Sequence, residues 1–155
     1  MEITKAKVLD TAYRVLTRRG HSRFELETKL LKKEYPAELI AEVIAECEGH
    51  GFINDELFAE QYCEELKYRK YGVRKIEMYL YKKGLDRDLI QRTVEEFDSI
   101  DEQYERATEA LKKKMKALAR EKDPWKKREK SYRFLVSRGF PTTVVSKVIE
   151  ETDFS

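Results

Sequence analysis

Glycine and proline are scarce in this chain, six and three among 155 residues, which leaves little irregular backbone from which to build a ligand pocket. Histidine is scarcer still: His21 and His50 stand beside turns, without carboxylate or thiol partners at ligand spacing, so both read as surface or turn residues and no metal is expected. The two cysteines, Cys47 and Cys63, fit no metal motif; on apolar helix faces such thiols act as small packing residues rather than a disulfide. No apolar run approaches the length of a bilayer span, and the opening MEITKAKVLD lacks the basic-then-apolar layout of a secretory signal. The chain is therefore expected to stay in the cytoplasm and off membranes. A phosphate-cradling glycine loop, a nucleophile elbow and an HExxH pair are missing as well. These absences point away from an enzyme and predict no catalytic residues and no cofactor.

What the chain has instead is a repeat. Residues 26–36 (LETKLLKKEYP) return fifty positions on as residues 76–86 (IEMYLYKKGLD), and a looser third copy occupies residues 131–141 (SYRFLVSRGFP). In each copy a helix carrying Leu30, Leu80 or Leu135 runs into a basic end, turns, and leads into a second helix. That second helix opens on an apolar doublet repeated four residues later: Leu39-Ile40 and Val43-Ile44, Leu89-Ile90 and Thr93-Val94, Val144-Val145 and Val148-Ile149. Such spacing is helical, not strand alternation. Another amphipathic helix precedes each pair, marked by Val8, Ala12 and Leu16, by Phe58, Tyr62 and Leu66, and by Tyr104, Ala107, Leu111 and Met115. The pattern predicts an all-α protein of three tandem three-helix repeats, spanning 5–48, 54–98 and 101–152, stacked into an elongated, curved body. A lone unit of about 50 residues is marginal, and stacked neighbours supply the missing burial.

Boundary residues agree. Ser22 with Glu25 forms a capping box, and Asp86, Thr142 and Asp123-Pro124 suit helix starts. Gly84 and Gly139 sit where a helix ends in a left-handed residue. The matching position in the first copy is Glu34, so a different turn is expected there, with Tyr35-Pro36 starting the next helix early.

Net charge is only +2, but the two signs are sorted along the chain. Residues 36–66 hold nine acidic and no basic side chains, 67–83 seven basic against one acidic, 92–110 seven acidic against two basic, and 111–130 ten basic against three acidic. Stacked repeats turn such bands into separate acidic and basic surfaces, suited to a patterned partner such as a protein filament wound on nucleic acid. Solvated Lys/Glu-rich faces are the plainer explanation of such runs. In the 67–83 band Tyr68, Tyr71, Tyr79 and Tyr81 alternate with cations, as a single-strand binding surface requires. Tyr79 adjoins core Leu80 and is expected to pack, whereas Tyr68 and Tyr71 are expected to be exposed.

Asn54-Asp55, Phe58-Ala59-Glu60, Tyr62, the Tyr71-Gly72 turn, Ile76, Leu80 and Lys82-Lys83-Gly84-Leu85 resemble the central signature of the RecX family of bacterial regulatory proteins. Ala12, Leu16, Arg18-Arg19, Ser22, Glu25-Leu26 and Lys29-Leu30 resemble its first-repeat pattern, and Arg133-Phe134-Leu135 with Arg138-Gly139-Phe140 its third. The resemblance implies an all-helical protein of tandem three-helix units that binds the RecA recombinase and restrains its filament on single-stranded DNA; a monomer is expected. The resemblance also implies contact with DNA itself, double-stranded DNA included. Leu57, Glu64 and Leu66 stand where the family usually carries basic residues, and Val73 where it has proline. Three lost cations weigh against DNA contact by that helix.

The RecA or DNA surface is accordingly expected at Arg18, Arg19, Arg23, Lys67, Arg69, Lys70, Arg74, Lys75, Lys82 and Lys83. A second contact zone is expected at Lys112, Lys113, Lys114, Lys116, Lys126, Lys127 and Arg128. Groove occupation and capping of a growing filament end both satisfy the resemblance. The residues by themselves also suit a sequence-specific DNA-binding regulator of tandem helix-turn-helix-like units, although acidic neighbours on the third helices would repel phosphates. A helical scaffold that binds only proteins is a third reading.

Overall fold

The computed structural model describes residues 2–155, and within them every regular element is an α-helix. The nine helices are α1 (Lys5–Arg18), α2 (Arg23–Lys32), α3 (Ala37–Gly49), α4 (Asp55–Tyr68), α5 (Val73–Lys82), α6 (Arg87–Phe97), α7 (Ile100–Ala117), α8 (Pro124–Ser137) and α9 (Thr142–Glu150). They pack in threes, each triplet around a core of its own. Val8, Ala12, Leu26, Leu30, Val43 and Cys47 centre the first core, Ala59, Cys63, Leu66, Ile76 and Leu80 the second, and Ala107, Leu135, Phe140, Val144 and Val145 the third. The doublets that set the helical period in the sequence supply these cores, because residues four apart on a helix share a face. Both cysteines are fully buried and unpaired, and burial pushes the Cys63 thiol up to about 12.

Helix starts follow local chemistry. Ser22 and Ser99 make full capping boxes with Glu25 and Glu102, and the Asp123 carboxylate accepts from the Trp125 backbone N–H ahead of Pro124. Asp86 holds the N-cap of α6 without a side-chain bond, and Thr142 lies one position inside α9, whose N-cap is Pro141.

Repeats are joined by one device used twice. At the first seam the N-cap of α2 meets the turn that ends α5: Ser22 Oγ donates to the Lys83 carbonyl at 2.6 Å. At the second seam the N-cap of α5 meets the turn that ends α8, with Gly72 N–H donating to the Arg138 carbonyl at 2.8 Å and Arg74 N–H to that of Gly139 at 3.0 Å. The turn glycines serve this docking as well as their left-handed φ. A Cβ on Gly84 would come within 2.2 Å of the Phe24 ring, and one on Gly139 within 2.6 Å of the Lys75 backbone. Glu34 corrects the expectation of a different turn. It adopts the same left-handed conformation, φ 61°, and it is exposed. Its turn receives no hydrogen bond from another repeat among the described residues, so only the φ strain of roughly 1 kcal/mol opposes a side chain there.

Buried electrostatics clip both seams. Glu25 takes hydrogen bonds from Arg19 at 2.8 Å and from Lys83, in the next repeat, at 3.0 Å. Burial alone would raise its pKa, but those bonds and the Ser22 backbone N–H outweigh it and hold the carboxyl at about 2. At the second seam Arg106 forks onto Asp98, both bonds 2.8 Å, while its Nε donates to the Tyr71 carbonyl at 2.8 Å. His21 lies in the turn between α1 and α2, as one half of its reading had it, but it is buried rather than on the surface. Its Nδ1–H donates to the Arg19 carbonyl and its Nε2 accepts from Lys29 Nζ; burial pushes its pKa down. His50 is exposed as expected.

Candidate functional site

The basic side chains divide into those the protein pairs internally and those it leaves free. Lys67 is largely withdrawn from the surface: its ammonium, on a side chain 11% exposed, bonds Glu64, Glu102 and the Phe97 carbonyl, and so ties α4 to the third repeat. Arg69 pairs with Glu65 at 2.7 Å, Lys70 with Glu109 at 2.5 Å and Arg23 with Glu48 at 3.3 Å, while Arg19 and Lys83 share Glu25. Among the described residues, Arg18, Arg74, Lys75 and Lys82 have no carboxylate within 4.0 Å. Of these, Lys75 packs its stem against Gly139 at the second seam. The single basic surface expected from the sequence is thus partly a set of inter-repeat clips.

Around the clips the structure builds a band of rings and cations across all three repeats. The Arg138 guanidinium lies 4.2 Å from the Tyr71 ring centre, Tyr71 packs on Tyr79 at 5.2 Å, and Lys82 sits 5.6 Å from the Tyr79 ring. One helix over, Lys83 lies 5.4 Å from Tyr62, which tilts against Phe58. Cation–π contacts of this kind are worth about 0.5–1 kcal/mol each where exposed. The Tyr71 hydroxyl is held below the usual phenol range, first by the Tyr79 hydroxyl and then by the Arg138 and Arg69 guanidiniums. Two clefts flank Lys83, one of about 390 Å³ with Arg19, Tyr62 and Arg69 in its wall, the other of about 300 Å³ with Phe24, Tyr79 and Lys82. Tyr68 is exposed as expected, but Tyr71 is half-buried under Arg138, and Tyr81, passed over in the sequence, is open to solvent.

The second zone is freer. Lys112, Lys113, Lys116, Lys126 and Arg128 are exposed, Lys114 and Lys127 half-buried, and none of the seven has a carboxylate within 4.0 Å among the described residues. Lys114 spans α7 and α8 by lying 5.2 Å from the Phe134 ring. Arg106 and Arg138 were missed by reasoning from the sequence. Arg138 could have been found, since it occupies the slot of Lys83 in the repeat alignment; Arg106 sits in an acidic band and gives no such signal. The helices α3, α6 and α9 turn their apolar doublets inward, and the exposed faces of α3 and α6 carry Glu38, Glu42, Asp88, Glu95 and Glu96, which would repel the phosphates beside a major groove.

Models of the first, second and third three-helix domains of RecX match residues 9–47, 54–94 and 101–149. A regulatory protein RecX of Legionella pneumophila is 36% identical over 150 residues, which cover 96% of this chain and 97% of the relative. The chain belongs to the RecX family. A RecX regulatory protein of Deinococcus radiodurans is 34% identical, with 97% of this chain and 70% of the relative aligned. The crystal structure of RecX from Lactobacillus salivarius superposes with a TM-score of 0.85 over 95% of both chains at 23% identity, a likeness of fold.

Three positions that the sequence reading set apart from the family pattern have distinct surroundings. Leu66 is a core residue, 1% exposed, so a cation there would have to leave the core. Glu64 is the partner of Lys67, and Leu57 is exposed. No helix among the described residues is long and apolar enough to cross a membrane.

Proposed function

We propose that this chain binds a RecA-type recombinase assembled on single-stranded DNA and restrains it, and so modulates DNA repair, recombination and the SOS response in the cytoplasm without catalysis of its own. Membership of a family of regulatory proteins supports the reading. The observation that carries it is the set of unpaired cations on adjoining repeats: Arg74, Lys75 and Lys82 on the second, Lys112, Lys113, Lys116, Lys126 and Arg128 on the third. Two contact zones held by one hydrogen-bonded seam can bridge neighbouring protomers of a filament, and linkage makes the second contact effectively intramolecular. Restraint then follows if the chain binds a blocked or shortened filament better than an active one, since a ligand shifts an equilibrium only by its differential affinity. The units at 5–48, 54–98 and 101–152 act as three positions along that contact. Arg18 extends it on the first repeat, where Arg19 and Arg23 are held by Glu25 and Glu48, and the acidic bands face basic filament loops or solvent. The protein works as a monomer, with single- and double-stranded DNA as secondary partners.

Titrating the full chain against RecA-driven ATP hydrolysis on single-stranded DNA tests this. Hydrolysis is expected to fall with increasing protein, at about one copy per few protomers for groove occupation and at far lower ratios for end capping. Unchanged hydrolysis at every ratio would remove the RecA reading.

A further inference from the structure

An open groove of about 430 Å³ runs between α8 and α9, lined among others by Trp125, Arg128, Glu129, Tyr132, Ile149 and Glu150. Ligand-sized clefts begin near this volume. Trp125 is the only tryptophan of the chain and is 70% exposed. Burying an indole in the adjoining core would gain a few kcal/mol, so its outward position calls for a reason that packing does not give. The next three residues, Lys126, Lys127 and Arg128, have no carboxylate within 4.0 Å among the described residues, whereas the neighbouring cations Lys130 and Arg133 are neutralised by Glu121 and Glu129, each within 2.9 Å. Of these three, Arg128 lines the groove with the exposed ring, one helical turn along α8. Tyr132 stands two helical turns along the same wall of the groove. A bare aromatic face next to unneutralised cations is the chemistry of a single-stranded nucleic-acid site: the ring stacks a base and the cations take the phosphates. An acidic protein segment would use the cations but has no need of the ring.

We propose that the α8–α9 groove is a stacking site for one unpaired nucleotide, with the base on Trp125 and its adjoining phosphate on Arg128. This deepens the DNA contact within the proposed function, but does not depend on RecA.

The lone tryptophan makes the test direct. The full chain, without RecA, is titrated at low salt with single-stranded DNA of mixed sequence, about 20 nucleotides long, reading indole fluorescence and the anisotropy of labelled DNA together. Saturable quenching is expected in step with the anisotropy. Trp125→Ala is expected to weaken binding roughly 5- to 150-fold, the stacking contribution of one base, and Trp125→Phe to restore much of it. Since Trp125→Ala removes an exposed ring, its thermal midpoint should match the parent; if it does not, Arg128→Gln serves in its place and should lower the salt slope by about 0.7. DNA binding with unmoved fluorescence, wild-type affinity in these variants, or no DNA binding would each overturn the proposal. All three outcomes leave the ATP hydrolysis titration free to succeed or fail independently.

Discussion

Replacing Arg106 by methionine should destabilise the protein far more than any surface arginine. The Asp98 side chain is fully buried and Arg106 is 5% exposed, so the substitution strands a carboxylate that has lost both of its forked bonds. Breaking a buried pair from one side costs about 3–5 kcal/mol. The freed Tyr71 carbonyl adds about 1 kcal/mol. Against a total stability of roughly 5–15 kcal/mol for a domain, most of the second seam's margin would go. Urea unfolding followed by circular dichroism should show a large fall in midpoint, with a broadened transition as the third repeat uncouples from the first two. Asp98→Leu combined with Arg106→Met removes both charges and should recover most of the loss, because an apolar pair of similar volume is often neutral or better. A single variant that loses less than about 1 kcal/mol, or a double variant no better than the single, would refute the assignment of this pair as the clip of the seam.

Other consequences concern the cores and the first seam. Leu80, fully buried at the centre of the second core, should cost about 2–5 kcal/mol when cut to alanine, as read from the chemical denaturation midpoint. Gly139→Ala meets both φ +96 and the Lys75 backbone 2.6 Å away, so it should destabilise by more than the roughly 1 kcal/mol that a left-handed alanine costs by itself. Glu34→Gly at the undocked turn should instead stabilise slightly, and equal effects at both positions would contradict the docking role of the turn. The Glu25 carboxyl, held at about 2 against about 4.3 when unfolded, contributes stability that is complete above about pH 4.3 and is lost as pH falls toward 2. At 1.36 kcal/mol per unit the shift corresponds to about 3 kcal/mol, reduced to about 2 by screening of the half-exposed Arg19. The difference in stability between the parent and Glu25→Gln should therefore shrink between pH 5 and pH 2.5, and a pH-independent difference would count against the clip.

The helices were legible in the sequence because their cores are local. Leu30, Leu80 and Leu135 reach zero exposure within triplets whose members are adjacent in the chain, and spacing on one helix is enough to find them. Surface assignments failed where a distant residue decides. Glu25 meets Lys83 58 positions away, Lys67 meets Glu102, and Tyr71 is covered by Arg138; a run of like charges in the sequence gives no sign that a second repeat will neutralise it. The burial of His21 in its turn gave no sign in the sequence because its Lys29 partner is not a usual ligand. Glu34 looked incompatible with its turn because the glycine at that slot answers two needs, φ and close docking, and only the first applies there.

The central claim is that the cations left unpaired by the fold, not those clipped across its seams, grip a recombinase filament. Arg74→Glu with Lys82→Glu changes two free, exposed charges and spares Lys75, whose stem supports the second seam. Measured by inhibition of RecA-driven ATP hydrolysis on single-stranded DNA, this double variant should need at least about tenfold more protein for half-inhibition, equivalent to 1.4 kcal/mol of lost binding, at an unchanged melting temperature. Inhibition equal to that of the parent would contradict the claim.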